Sequence, residues 1–399
     1  MRYVLSSLLF FIPTCCLCAA TPTTGHTPST FERMTEMALP RSIQVLIEKN
    51  AEEALLEVRG PYYLFNPLDG SRVAAGLLGK RFMIRELSTG LKWGEEFLGI
   101  HQLYIKPRSP DTSIFINGIQ YSGGVFVYGV EGKVHIVNEV DMEAYVKSIL
   151  TTQFSTPMEP EVMAALAIVA RTESYYESLK GQGTFWHIQA KDSGYMGSAL
   201  IVSHSPIDRA VDSTKHLILV HPSNGKNVPF AASWTEHSAG KTAAYETIFR
   251  FCADAPEKGV EAPHALLARQ ESKWTYQIPK KKFSTLLGAR ELETFEVFID
   301  SPSGKVYGIR IKDGNEFHNF NFLSLQAKLG KENLPSSDFT VALKDDTVHF
   351  TGFGKGHGVG LCLYSASALA QNGENAVKIL AKFFPETYLC NVNALPKEE

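Results

Sequence analysis

Five glycines fall between Gly352 and Gly360 in the stretch FTGFGKGHGVGLCLYSASALAQNG, and a single histidine, His357, stands among them. Glycine reaches φ > 0 cheaply and lets backbone or ligand approach closely. Alternating glycines ahead of a helix leave free backbone N–H groups, and the positive helix end, directed into one space. A histidine in that field stays neutral, because a second positive charge is disfavoured. Neutral imidazole can hydrogen-bond a hydroxyl or orient a carboxylic acid. The same pattern also describes a tight strand-to-helix turn whose histidine packs structurally, and a glycine-rich turn does not choose between the two.

Glu173 is the second candidate. In PEVMAALAIVARTESYYESL, Val162, Leu166, Val169 and Glu173 share one helical stripe. A glutamate closing an apolar stripe tends to hold its proton, as a general acid requires. Alternatively, it marks where the stripe meets solvent or a base such as Lys147. Glu143, Glu159 and Glu161 stand at helix starts, where carboxylates serve as caps or dipole partners. Structural roles are expected for those three.

The elements that must position these groups follow from pattern. From Ser42 the texture is strand-like, with turns at Asp69–Ser71 and Ser88–Gly90. SIFINGIQYSGGVFVYGVEGKVHIVNEV reads as two hairpins turning at Asn117–Gly118 and Gly123–Gly124, with Gly132 close behind. Asp141 is the expected N-cap of a helix carrying Tyr145, Ile149 and Thr152 on one stripe. Pro160 and Glu161 suit the first turn of the longest helix. KHLILVHP and NVPFAASWTE alternate like strands, VFIDSPSGKVYGIRIKDG reads as a hairpin, and LYSASALAQNG and NAVKILAKFF read as helices. The expected class is α+β, with a β-rich region over 41–135 and a mixed domain over 136–390.

Composition narrows the partners. A chain of 399 residues exceeds the usual size of one core, so two lobes are expected. The formal charge of −3 gives no basic footprint, and no nucleic acid partner is expected. MRYVLSSLLFFIPTCCLCAATPTT has one positive charge at Arg2, an apolar run, then small residues ending at Ala19 and Ala20. That is the layout of a signal peptide over 1–20, with an apolar core too short and interrupted to favour a membrane anchor. A Thr-, Pro- and Ser-rich linker over 21–40 follows. Export to a periplasm or cell envelope is the expectation, with Cys15, Cys16 or Cys18 as the lipidated residue if the protein is anchored; Leu17 fits poorly before Cys18. The mature chain keeps Cys252, Cys362 and Cys390, with no pair at metal-ligand spacing. Three separate thiols are expected, one disulfide being the alternative in an exported chain.

GHGVGLCLYSASALAQNG resembles the GHGVGMSQYGA signature of the SpoIID/LytB family of bacterial cell-wall remodelling proteins, which includes lytic transglycosylases and amidase enhancers. INGIQYSGGVFVYGVEGKVHIVNEVDMEAYVKSILTTQF is similar to the family's strand-rich lead into NELPLEDYVxGVVxxEMP, EVMAALAIVARTESYY to its EALKAQAVAARTYA helix, and DRAVDSTKHLILVHPSNGKNVPFAASWTEHSAGKT to the segment ending in SGGxT. The matches run in family order from about Val125 to Phe384.

The resemblance implies a cleft for peptidoglycan glycan strands, with an amidase or the division machinery as a further partner, and no cofactor or metal. It implies that Arg171 binds a carboxylate such as the lactyl group of muramic acid, and that Ser238, Gly240, Gly356, Gly358 and Tyr364 line the glycan path. Arg171 also suits a structural salt bridge, and Ser238 an ordinary turn. The family's catalytic glutamate falls on Gln153, with His357 expected to face the same space. An amide donates a hydrogen bond but delivers no proton, and general acid–base help is worth about 10²–10⁴ in rate, or about 3–5.5 kcal/mol of barrier. Cys362 and Leu363 replace the family's Ser and Gln. The zinc ligands of some members have no matching cysteines in GTFWHIQAKDSGYMGSAL, which leaves His187 a surface or core histidine. Two readings stand: a transglycosylase using another acid, and a glycan-binding scaffold that lost its glutamate. A secreted protein keeping only the fold is the third.

Overall fold

The computed structural model describes residues 39–223, 226–249 and 258–394. The expected signal peptide over 1–20, nearly all of the expected 21–40 linker, Cys15, Cys16, Cys18 and Cys252 lie outside the described residues.

Residues 42–141 form two antiparallel sheets, so the first part of the chain is β-rich, as its alternation predicts. One sheet centres on Ser42–Ala51, Lys133–Asp141, Gly124–Val130 and Gln102–Pro107 in that order. The other runs Ile119–Tyr121, Ser113–Ile116, Ala54–Arg59, Lys80–Leu87, Gly90–Trp93, Glu95–Leu98. Period-2 burial explains the pairing: Ala54, Leu56 and Val58 point inward while their neighbours do not. Trp93 is fully buried, and its indole N–H donates to Leu56 O at 3.0 Å. Each fully buried aliphatic side chain contributes roughly 1.5–3 kcal/mol here.

One hairpin forms where expected, with Asn117 and Gly118 at φ 51° and 86°. Gly123–Gly124 is not a hairpin turn. The chain there crosses from one sheet to the other, and the second hairpin turns at Glu131–Gly132. Gly123 permits the crossing, because a Cβ would lie 2.1 Å from Glu139 O. Asn138 fastens it through Nδ2 to Ser122 O and Gly124 O.

The helix Met142–Gln153 starts directly from the last strand, capped by the Asp141 carboxylate, which accepts from Glu143 N and Ala144 N. The long helix Pro160–Lys180 is buried on nearly every face, more than the one expected stripe. Ala165, Ala167, Ile168 and Ala170 join Val162, Leu166 and Val169 in the core, because sheet strands and other helices pack around it. Glu159 stands at the N-cap and Glu161 in the first turn, but the Glu159 side chain makes no capping bond to this helix. The two carboxylates accept from Gln371 Nε2 at 2.6 Å and Ala376 N at 2.7 Å, tying two later helices to its start. Structural roles were expected for both; the partners differ.

Leu217–Ser223 pairs with Tyr388–Asn391, so the chain's last strand closes on its middle. NVPFAASWTE is strand only at its ends, Lys226–Val228 and Trp234–Thr235, because Ala232 N donates to Glu173 instead of a neighbouring strand. Between Lys273 and Phe353 lies a strand-rich lobe of two three-stranded sheets with the helices Lys280–Leu287 and Phe322–Leu329. It contains the expected hairpin, Thr294–Ile299 against Val306–Asp313. Among the described residues no helix is long and apolar enough to cross a membrane, and Cys362 and Cys390 are free thiols.

Candidate functional site

A cleft of about 870 Å³ opens where five parts of the chain meet. Gln153, Phe154, Ser155, Thr156 and Met158 form one side, from the end of the helix Met142–Gln153 and the turn after it. Glu236 and Lys355 come from two further segments. His264, Leu267, Ala268 and Glu271 follow the short helix Pro263–Leu267, and Leu363, Tyr364, Ser367, Ala368 and Gln371 belong to the helix Leu363–Gln371. The ring centroids of Phe154 and Trp234 are 6.3 Å apart, which joins the first side to the segment carrying Glu236.

Of the glycine-rich stretch, Lys355 lines this cleft. Gly354, Gly356, Gly358 and Gly360 have φ of 80°, 99°, 78° and 76°, the left-handed region where a side chain is strained. Residues 233–243 run against it, with bridges His237↔Lys355 and Ala243↔Val359 and the parallel pair Trp234–Thr235 against Leu361–Cys362. A Cβ on Gly356 would lie 2.4 Å from Thr235 Oγ1, and one on Gly358 3.0 Å from Lys305 Cε. These glycines therefore admit a neighbouring chain. Neither they nor Gly240, whose Cβ would meet Leu266 at 2.8 Å, is among the residues lining the cleft.

His357 is not among those residues either, although the resemblance led us to expect it facing Gln153. Its ring packs edge-on against Phe249, centroids 5.1 Å apart, and Nδ1 accepts from Val359 N at 3.2 Å. Burial, helped by the charge of Lys331, pushes its pKa down to about 4, against a hydrogen bond at the Trp234 backbone. The ring is neutral at pH 7 as expected, but desolvation rather than the helix end is the main cause.

Glu173 lies away from the cleft lining too. Its Oε2 accepts from Ala232 N at 2.6 Å. Burial first, then the charge of Glu177, pushes its pKa well up. The shift has the direction a general acid requires, although the residue is only partly buried. Lys147 does not pair with it, bonding Asp208 and Asp212 at 2.5 and 2.8 Å instead.

Arg171 is fully buried, so the implied glycan contact is replaced by a structural one. Its Nε and Nη2 donate to both oxygens of Glu143 at 2.7–3.1 Å, and Nη1 and Nη2 to Leu217 O and Val211 O. Glu143 also accepts from His216 N at 3.0 Å. A buried guanidinium needs this degree of satisfaction. Likewise His187 Nδ1 accepts from Gln44 N.

Ser238 is 1% exposed and does not line the cleft. Its carbonyl accepts from Lys305 Nζ at 2.5 Å, and its N–H donates to Cys362 Sγ at 3.3 Å. Lys305 and Arg269 both bind Asp338, and Arg269 Nη1 also donates to Ala239 O at 2.6 Å. This buried cluster fixes the turn after Glu236. Burial pushes the Lys305 pKa down, and Asp338 opposes the shift.

Of the sequence candidates, Gln153 and Tyr364 reach the cleft. Gln153 Nε2 donates to Ser193 O at 3.0 Å. Tyr364 is 42% exposed, with its ring 4.6 Å from that of His237. Sequence reasoning missed Glu236, Lys355, His264 and Glu271. Glu236 and Lys355 pair at 2.6 Å, both more than half exposed. Their signal was adjacency: Glu236 precedes HSAGKT, and Lys355 lies inside the glycine run.

The family model for the stage II sporulation protein SpoIID matches residues 130–221. An uncharacterised protein of Chlamydia pneumoniae is 31% identical over 195 residues, 48% of this chain and 71% of its own length. One of Brachyspira hyodysenteriae is 26% identical over 355 residues, covering 86% of this chain and 91% of its own. The stage II sporulation protein D of Bacillus subtilis is 26% identical over 278 residues, covering 65% and 77%.

Proposed function

This chain belongs to the SpoIID family and thereby has a cell-wall-related role, and from that premise we propose that it binds peptidoglycan glycan strands in the cleft and cleaves them as a lytic transglycosylase, after export to the cell envelope. One observation carries the reading. Gln153, at the family's glutamate position, opens onto the same cleft as Lys355 of the glycine-rich stretch and Tyr364 just after it.

The lining suits a glycan. Tyr364, Leu363 and Met158 offer apolar surface to sugar faces, while Gln153, Ser367 and Gln371 offer groups that bond hydroxyls. Lys355 supplies a cation for the lactyl carboxylate of a muramoyl unit. The reaction needs one group that protonates the glycosidic oxygen and then takes the proton of the C6 hydroxyl as O6 closes on C1. No second carboxylate holding water is required, in contrast to hydrolysis. Gln153 orients the strand but has no proton to give.

That last point supports a second reading, a glycan-recognising scaffold or amidase enhancer. Incubating the mature protein with purified peptidoglycan separates the two. Release of 1,6-anhydro muropeptides, seen by mass analysis, supports the transglycosylase. Co-sedimentation without release supports the scaffold, and the absence of both removes the glycan reading.

A further inference from the structure

We propose that Glu236 is the acid of this cleft, supplying from another segment of its lining the carboxyl that Gln153 lacks. The inference rests on the transglycosylase reading above. Among the described residues that line the cleft, only Glu236 and Glu271 carry carboxyl groups. Glu143 is committed to Arg171, and Glu173 is bonded to Ala232 N and does not line the cleft.

Glu236 is the better held of the two. Its carbonyl accepts from Tyr364 N at 3.0 Å. The next residue, His237, exchanges both backbone hydrogen bonds with Lys355 at 2.9 Å. Thr235, before it, pairs with Cys362. Two residues on, Lys305 and Arg269 grip the carbonyls of Ser238 and Ala239 and share Asp338. So the backbone at Glu236 is fixed from three sides, while its side chain is more than half exposed to the cleft. A fixed backbone carrying a solvent-facing carboxyl is how a catalytic group is held near its reacting atom. Glu271 is flanked as well, with Ser272 N bonding Ala268 O and Gly354 N bonding Ser272 O, but of the two only Glu236 bonds the backbone of Tyr364 directly and pairs with Lys355.

The step balances on one proton. Once Lys355 leaves Glu236 for the strand, the carboxylate takes up a proton from solvent and gives it to the glycosidic oxygen as the C1–O4 bond breaks. The carboxylate then removes the proton of the C6 hydroxyl as O6 bonds C1, which leaves a 1,6-anhydro end, a free 4-hydroxyl and the acid restored. Lys355 is the positioning partner. Its side chain is mostly exposed, so it can move from Glu236 to the strand's lactyl carboxylate as the strand enters.

The test compares anhydro-muropeptide release, glycan co-sedimentation and thermal midpoint for the full mature chain and its Glu236→Gln, Glu236→Asp and Glu271→Gln variants. We expect Glu236→Gln to lose 10²–10⁴-fold in release with binding and midpoint kept, and Glu236→Asp to recover part of that loss. Release from Glu236→Gln at the unaltered rate overturns the assignment, as does an equal loss from Glu271→Gln with Glu236→Gln unaffected. No release from the unaltered chain removes the transglycosylase reading and this role together, and retained co-sedimentation then leaves the scaffold.

Discussion

Glu236 and Lys355 meet at 2.6 Å at the edge of the cleft, each carried on a backbone that bonds the other's segment. The pair joins the HSAGKT turn to the glycine-rich stretch, and both need the glycines to come so close. Gly356→Ala puts a Cβ 2.4 Å from Thr235 Oγ1 at φ 99°. We expect a loss of about 2–4 kcal/mol by denaturant titration, against about 1 kcal/mol for Gly132→Ala, where φ is also positive but nothing lies within 4 Å. Equal losses would mean that the close approach does not matter.

Arg171 and Glu143 should behave as a buried pair. Removing one partner strands the other without water, at about 3–5 kcal/mol. Arg171→Met is expected to lower the denaturation midpoint sharply while the remaining folded protein keeps its affinity for glycan. A stable Arg171→Met protein with weakened glycan binding would restore Arg171 to the cleft.

His357 makes stability depend on pH. Its folded pKa of about 4 lies below the ordinary value of 6.5, so the unfolded chain binds more protons between those limits. Stability is therefore lost as pH falls from about 6.5 to about 4, by up to about 3 kcal/mol at 1.36 kcal/mol per pH unit. Denaturant midpoints across that window should show the slope, and His357→Phe should remove most of it. His357→Ala should destabilise the fold and leave glycan co-sedimentation of the folded protein intact.

The sequence showed where chain direction and burial alternate, and little about which distant groups meet. Asp141 was legible as a cap because its partners, Glu143 N and Ala144 N, are its neighbours. The strands of the first part were legible because their alternation is local. Arg171 was not, since its partner Glu143 stands 28 residues away on another helix. The environment of His357 comes from Phe249, Trp234 and Lys331, none within the glycine run. Glu236 gave no signal of its own, because only folding brings residues 233–243 against that run and opens its side chain to Gln153's cleft.

Glu173 works in the opposite sense to His357. Its folded pKa is raised, so the contribution is fully present below the ordinary carboxylate value and lost as pH rises toward the folded value. Glu173→Gln removes the ionisation and can still accept from Ala232 N. The variant should match the unaltered protein near pH 4 and exceed it in thermal midpoint at pH 8, with glycan release unchanged. Loss of release in a folded Glu173→Gln protein would return the acid to the long helix.

The most direct measurement follows 1,6-anhydro muropeptide release from three proteins side by side: the unaltered chain, Glu236→Gln, and Glu236→Gln combined with Gln153→Glu. Glutamine and glutamate are nearly isosteric, and both positions open onto one cleft. The account predicts release, then its loss by 10²–10⁴-fold, then recovery when the carboxyl returns at residue 153. Undiminished release from Glu236→Gln, or no release from the unaltered chain, would contradict it.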